Sequence, residues 1–187
     1  MHIAYKTNMK NYLELKVPVR RDAAWFNNLR NALAKVGVPV TWQKSEYHIT
    51  VAFMKDDQHV EELRTAFGEV LSKAEAPQLT LDKVGVFRTM SGEELIVFLI
   101  SSAPSERFMS LVESLRSEVE KIGANMESNF RLHITLGRIK ARLASLEQVE
   151  EVVKKIDVPP FTLTLQDAEY RYTKSCGDKS IQEWIIK

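Results

Sequence analysis

Residues 13–19, Leu-Glu-Leu-Lys-Val-Pro-Val, alternate apolar and charged side chains. That period of two predicts a half-buried strand ending near its proline. The spacing then changes to three and four. Trp25, Phe26, Leu29, Leu33 and Val36 predict a helix over about 23–36, with Asp22 as its cap and Gly37 as its stop. Residues 47–54, Tyr-His-Ile-Thr-Val-Ala-Phe-Met, read as a second strand. Val60, Leu63, Phe67, Val70 and Leu71 predict a second helix over 58–73, and extended segments follow at 79–81 and 83–87.

The same order then begins again. Residues 94–100 form an almost wholly apolar strand, and Phe108, Leu111, Val112, Leu115, Val119 and Ile122 mark a helix over about 105–122 that stops at Gly123. A strand over 131–139, a helix over about 144–156 and extended stretches at 161–165 and up to 186 complete the chain. The tripeptide His-Ile-Thr occurs at 48 and again at 133, an offset of 85, while Gly37 and Gly123 stand 86 apart. Each half therefore reads strand, helix, strand, helix, strand, with a one-residue difference between helix and strand. One domain over 1–187 is expected, built from halves of about 1–90 and 91–187 related by a pseudo-twofold axis.

Composition narrows the class. At 187 residues, 44% hydrophobic and 27% charged, the chain is long enough to bury a core without staples. Lys plus Arg number 26 against 25 Asp plus Glu, for a net charge of +1. A protein that wraps long nucleic acid carries a larger basic excess, so a small phosphate ligand or an RNA end fits better. The single cysteine, Cys176, forms no internal disulfide and suits a reducing cytoplasm. No signal-peptide core or membrane-length apolar run is evident, so a cytoplasmic location with no membrane partner is expected.

Candidate chemistry lies in the repeated tripeptide. With regular alternation, one face of the first strand carries His48, Thr50, Ala52 and Met54, and one face of the second carries His133, Thr135, Gly137 and Ile139. Ala52 and Gly137 are then expected to leave room in a groove. Two imidazoles supply a base and an acid near neutral pH, as phosphodiester cleavage requires. The hydroxyls of Thr50 and Thr135 can donate to non-bridging phosphate oxygens. There is no HExxH, no CxxC and no third ligand within either motif, so no metal and no cofactor are expected.

These motifs, His48-Ile49-Thr50-Val51 and His133-Ile134-Thr135-Leu136, make the chain resemble the 2H phosphoesterases, named for two His-x-Thr motifs in a duplicated fold. Phe53 and Arg138 are similar to the branch of bacterial RNA 2′,3′-cyclic phosphodiesterases, also called 2′-5′ RNA ligase-like proteins, although Ala52 stands where that branch usually has Arg. The resemblance implies an α+β bilobal fold of two pseudo-symmetric antiparallel-sheet lobes with outer helices and a central groove. It implies metal-independent hydrolysis of a 2′,3′-cyclic phosphate on an RNA 3′ end or a small cyclic nucleotide to a 2′-phosphomonoester. In that branch the first histidine, here His48, is the proton donor and the second, here His133, the acceptor. A nucleotide-binding module without catalysis and a phosphodiesterase acting on 2′-5′ linkages are the alternatives. No obligate protein partner is evident, and a monomer is expected.

Other residues are weaker candidates. Phe87, Tyr172 and Trp42 can stack a base, and Arg138, with Lys140 and Arg142, can attract phosphate. On a regular strand Arg138 points away from His133, and a bulge would bring it back. His2 and His59 lack the duplicated context, and Cys176 has no neighbouring histidine, so all three read as non-catalytic.

Overall fold

The computed structural model describes residues 11–174 and 176–187, so His2 lies outside the described residues. The first half runs β1 (Tyr12–Lys16), α1 (Ala24–Lys35), β2 (Thr41–Trp42), β3 (His48–Phe53), α2 (Val60–Lys73), β4 (Gln78–Leu81) and β5 (Lys83–Arg88). The second runs β6 (Glu94–Ile100), α3 (Glu106–Ile122), β7 (Ile134–Lys140), α4 (Leu146–Val153), β8 (Phe161–Thr164), β9 (Asp167–Thr173) and β10 (Lys179–Ile185).

The strands form two four-stranded sheets, ordered β10-β9-β1-β3 and β2-β7-β6-β5, and a separate β4-β8 pair. Every named pairing is antiparallel. The two halves exchange strands. β9 of the second half pairs with β1, while β5 of the first half pairs with β6. The segments that lead into the two motifs are exchanged as well. β2, which precedes His48, pairs with β7, and Met126, which precedes His133, bridges to Met54 at the end of β3. Lys55 N–H donates to the Asn125 carbonyl at 2.8 Å and Glu127 N–H to that of Phe53 at 2.9 Å. Each motif is thus delivered by a segment anchored on the other lobe.

The helices cover one face of each sheet. α2 packs beside α3, with α3 against β3 and α2 against β10, while α1 packs beside α4, which lies on β5. Apolar alternation drives this arrangement. Leu13, Leu15, Ile49, Leu95, Val97, Leu99, Ile134 and Leu136 are buried towards the helices, and Phe67 of α2 meets Tyr170 of β9 edge to face at 5.2 Å. Gly37 (φ +74°) and Gly123 (φ +80°) end α1 and α3 in the left-handed conformation that glycine adopts freely. Asp22 does not cap α1. The cap position is Ala23 with no side-chain bond, and the exposed Asp22 carboxylate takes the Arg20 guanidinium at 2.9 Å instead. Ser105 and Ser145 do cap α3 and α4. The last extended stretch is two strands, β9 and β10, joined as a hairpin.

Candidate active site

A bulge in each motif strand decides what faces the groove. Glu14 pairs with Thr50 and Leu13 with Ala52, which leaves Val51 unmatched. Phe98 pairs with Thr135 and Val97 with Gly137, which leaves Leu136 unmatched. An extra residue reverses the alternation beyond it. Ala52, Met54 and Ile139 are therefore in the core, each at most 1% exposed, instead of on the histidine face. Phe53 and Arg138 take the places that regular alternation assigns to Ala52 and Gly137. Phe53 is half-buried and stacked on Tyr12 at 6.3 Å, and Arg138 is exposed opposite Ile96. The small residues do not open a groove. A Cβ on Gly137 would lie 2.6 Å from Val40 Cγ1 and 2.9 Å from Trp42 Cε3, so its smallness admits β2. The carbonyls freed by the bulges are used: Val51 O accepts from Arg116 Nη1 at 3.0 Å, and Leu136 O from Gln43 N–H at 2.8 Å.

The two histidines are held alike. His48 Nδ1 faces the Glu46 carbonyl at 3.4 Å, and His133 Nδ1 faces that of Arg131 at 2.9 Å. A carbonyl only accepts, so Nδ1 carries the proton and Nε2 is left for chemistry. The two motif strands, β3 and β7, are in contact, and the charge of His48 is among the causes that lower the His133 pKa.

Their surroundings differ. Beside Thr50 the sheet presents Glu14, then Glu169 paired with Glu14; Arg171 pairs with Tyr12. The equivalent places beside Thr135 hold Phe98, Gly85 and Phe87. His48 stacks near Tyr12 at 6.5 Å, with Glu14 Oε2 at 3.4 Å from its Nε2. His133 is walled by Phe87 and Phe98, edge to face at 5.4 and 6.3 Å. Burial pushes its pKa below the ordinary value. The Arg131 carbonyl opposes that shift, and the charges of Arg131, His48 and Arg138 add to it.

Thus Thr50, Thr135, Phe87 and Arg138 join the histidines, with Arg138 also held by Glu94 at 3.0 Å. Arg131 lies over the Phe87 ring at 4.3 Å and occupies one of its faces. Tyr172 does not join them. It alternates away from Arg171 into the core, 6% exposed and 4.9 Å from Tyr170. Trp42 packs edge to face on Phe26 at 5.5 Å. Lys140 and Arg142 line a separate depression with Glu93 and Glu94. His59 Nδ1 meets Glu62 at 3.2 Å, and the exposed Cys176 thiol meets Asp178 at 3.2 Å.

The sequence reading missed Tyr12, Glu14, Phe98 and Arg131. Glu14 sat in plain alternation with Leu13 and Leu15, but alternation does not say whether the polar face meets solvent or a groove. A cavity of about 610 Å³ lies next to the site and is lined by Lys16, Glu46, Tyr47, Glu169, Glu183 and Trp184 among others. Among the described residues no cluster of three or more His, Cys, Asp or Glu side chains is placed to hold a metal ion, and no helix is long and apolar enough to cross a membrane.

Residues 18–172 match the 2′-5′ RNA ligase superfamily. An RNA 2′,3′-cyclic phosphodiesterase of Thermotoga maritima is 28% identical over 136 residues, which is 71% of this chain and 70% of that protein. The fold resembles the crystal structure of E. coli LigT complexed with 3′-AMP, at TM-score 0.55 and 16% identity over 96% of this chain and 98% of that one. It also resembles Kluyveromyces marxianus Usb1 with uridine monophosphate, at TM-score 0.67 and 10% identity, covering 96% of this chain and 98% of the other.

Proposed function

Because the chain belongs to the 2′-5′ RNA ligase superfamily, within the 2H phosphoesterases, we propose that it hydrolyses a 2′,3′-cyclic phosphate on an RNA 3′ end or a nucleotide to a 2′-phosphomonoester. The observation that carries this reading is the pair of imidazoles, each with Nδ1 at a backbone carbonyl and Nε2 left over, in surroundings of opposite character.

His133, kept neutral by burial, takes a proton from water as the oxygen attacks phosphorus. The bond from phosphorus to the 3′ oxygen breaks, and His48 gives its Nε2 proton to that oxygen. The products are a 2′-phosphate and a free 3′ hydroxyl. Thr50 and Thr135 donate to the non-bridging oxygens, and Arg138 supplies positive charge where negative charge grows. The name of the Thermotoga relative supports this bond over a 2′-5′ linkage.

The test is hydrolysis, with EDTA present, of the four nucleoside 2′,3′-cyclic monophosphates and of a short RNA ending in a cyclic phosphate. Turnover is expected, with a bell-shaped pH profile. His48→Ala and His133→Ala should each lower kcat by about 100- to 10,000-fold while the fold survives. Near-normal turnover in both variants sinks the mechanism, and a 3′-phosphate product sinks the regiochemistry.

A further inference from the structure

The two motifs are alike in sequence, yet the mechanism above gives their histidines opposite duties. One side chain distinguishes their settings most sharply. Glu14, in the middle of β1, is 1% exposed. Its Oε1 accepts from Lys16 Nζ at 2.6 Å and Arg171 Nε at 3.2 Å. Its buried Oε2 has no hydrogen-bond partner among the described residues and lies 3.4 Å from His48 Nε2. A buried carboxylate oxygen left without a partner is costly, so its direction is informative. The equivalent place in the other lobe holds Phe98, which offers His133 an uncharged ring at 6.3 Å.

We propose that Glu14 is the positioning residue of His48: its second oxygen is the counter-charge of the His48 imidazolium and commits His48, rather than His133, to carry the proton to the leaving oxygen. The proposal rests on the acid–base reading of this site.

The neighbourhood supports the commitment. Lys16 also meets Glu169 at 3.0 Å and Glu46 at 3.5 Å, and Arg171 Nη2 meets Glu169 at 2.8 Å. Two buried carboxylates and two cations thus hold one another, and Glu14 cannot swing away without breaking both bonds at Oε1. The groups around His48 are Tyr12, Glu14 and Lys16 on β1, Glu169 and Arg171 on β9, Glu46 before β3, and His133 across the groove. The carboxylate that meets Nε2 is that of Glu14. The 3.4 Å contact is not a formed hydrogen bond, and His48 is still 28% exposed, so the proton can be delivered to substrate.

The experiment is a pH titration of the histidine ring nitrogens by NMR in the wild-type chain and in Glu14→Gln, with pH–rate profiles on a nucleoside 2′,3′-cyclic monophosphate. In Glu14→Gln the His48 midpoint should fall by about one unit, and the alkaline limb of kcat should move with it. KM should change less than kcat, and the His133 midpoint should change less than that of His48. Glu14→Asp, which keeps the charge but draws it back by one carbon, should show a smaller fall in the same direction. It supplies the comparison if Glu14→Gln does not fold. A His48 midpoint unchanged by these substitutions overturns the proposal, even where the wild type turns over. A wild type that never turns over, with a midpoint that depends on Glu14, upholds the pairing and overturns the phosphodiesterase reading instead.

Discussion

Arg116 of α3 donates to the carbonyl of Val51, the extra residue of the bulge that ends the first histidine motif, at 3.0 Å. The same guanidinium holds the carbonyls of Glu127 and Ser128 at 2.9 and 3.1 Å, in the segment that leads to His133. One helix residue thus ties the strand of one motif to the approach of the other.

Arg116→Met should leave the buried Val51 carbonyl unsatisfied and cost about 1–3 kcal/mol. The expected signature is a lower Tm together with a fall in kcat, because the loop before His133 loses its anchor. A variant with lower Tm and unchanged kcat would show that the tie serves the fold alone.

Gly137→Ala is expected to destabilise by about 1–3 kcal/mol through overpacking. The new Cβ would meet Val40 Cγ1 at 2.6 Å and the Trp42 ring at 2.9 Å, where β2 crosses β7. Denaturant unfolding measures this directly. A substitution without cost would mean that β2 moves aside freely.

His133 has a folded pKa below its ordinary 6.5, chiefly through burial. The unfolded chain therefore takes up this proton more readily than the folded one. Stability present at neutral pH is lost as pH falls through 6.5 towards the folded value. Removing the group in His133→Gln should reduce the loss of unfolding free energy between about pH 7 and pH 5. Phe87→Ser, which admits water beside the ring, should move the acid limb of the rate profile upwards towards the ordinary imidazole range. An acid limb that stays in place would remove Phe87 as the cause.

Ser105→Ala should lower stability by about 1 kcal/mol. Ser105 Oγ accepts from Phe108 N–H at 3.2 Å and donates to the Gln78 carbonyl at 2.8 Å. Asp22→Ala should leave Tm unchanged, since the exposed Asp22 carboxylate bonds the exposed Arg20 and no helix N–H among the described residues. Equal Tm losses in the two would restore Asp22 as a helix cap.

Periodicity and punctuation were local facts, and the sequence by itself determined them. Trp25, Phe26, Leu29 and Leu33 define the buried side of α1, Gly37 and Gly123 end their helices, and the duplicated His-Ile-Thr marks the two strands that carry the candidate chemistry. Each depends on neighbours within a few turns or a few pleats, so it can be read from the chain. The exchange of β5 and β9, the turn of Arg138 towards the histidine face, the retreat of Ala52 into the core and the meeting of Glu14 with His48 were decided only by tertiary structure. A bulge exists only relative to a partner strand with one residue fewer, and the side of a sheet that meets a groove is set by what packs on the other side. The same distant pairing that brings Phe98 opposite Thr135 and Glu14 opposite Thr50 gives two identical tripeptides different electrostatic surroundings, and no local pattern carries that difference.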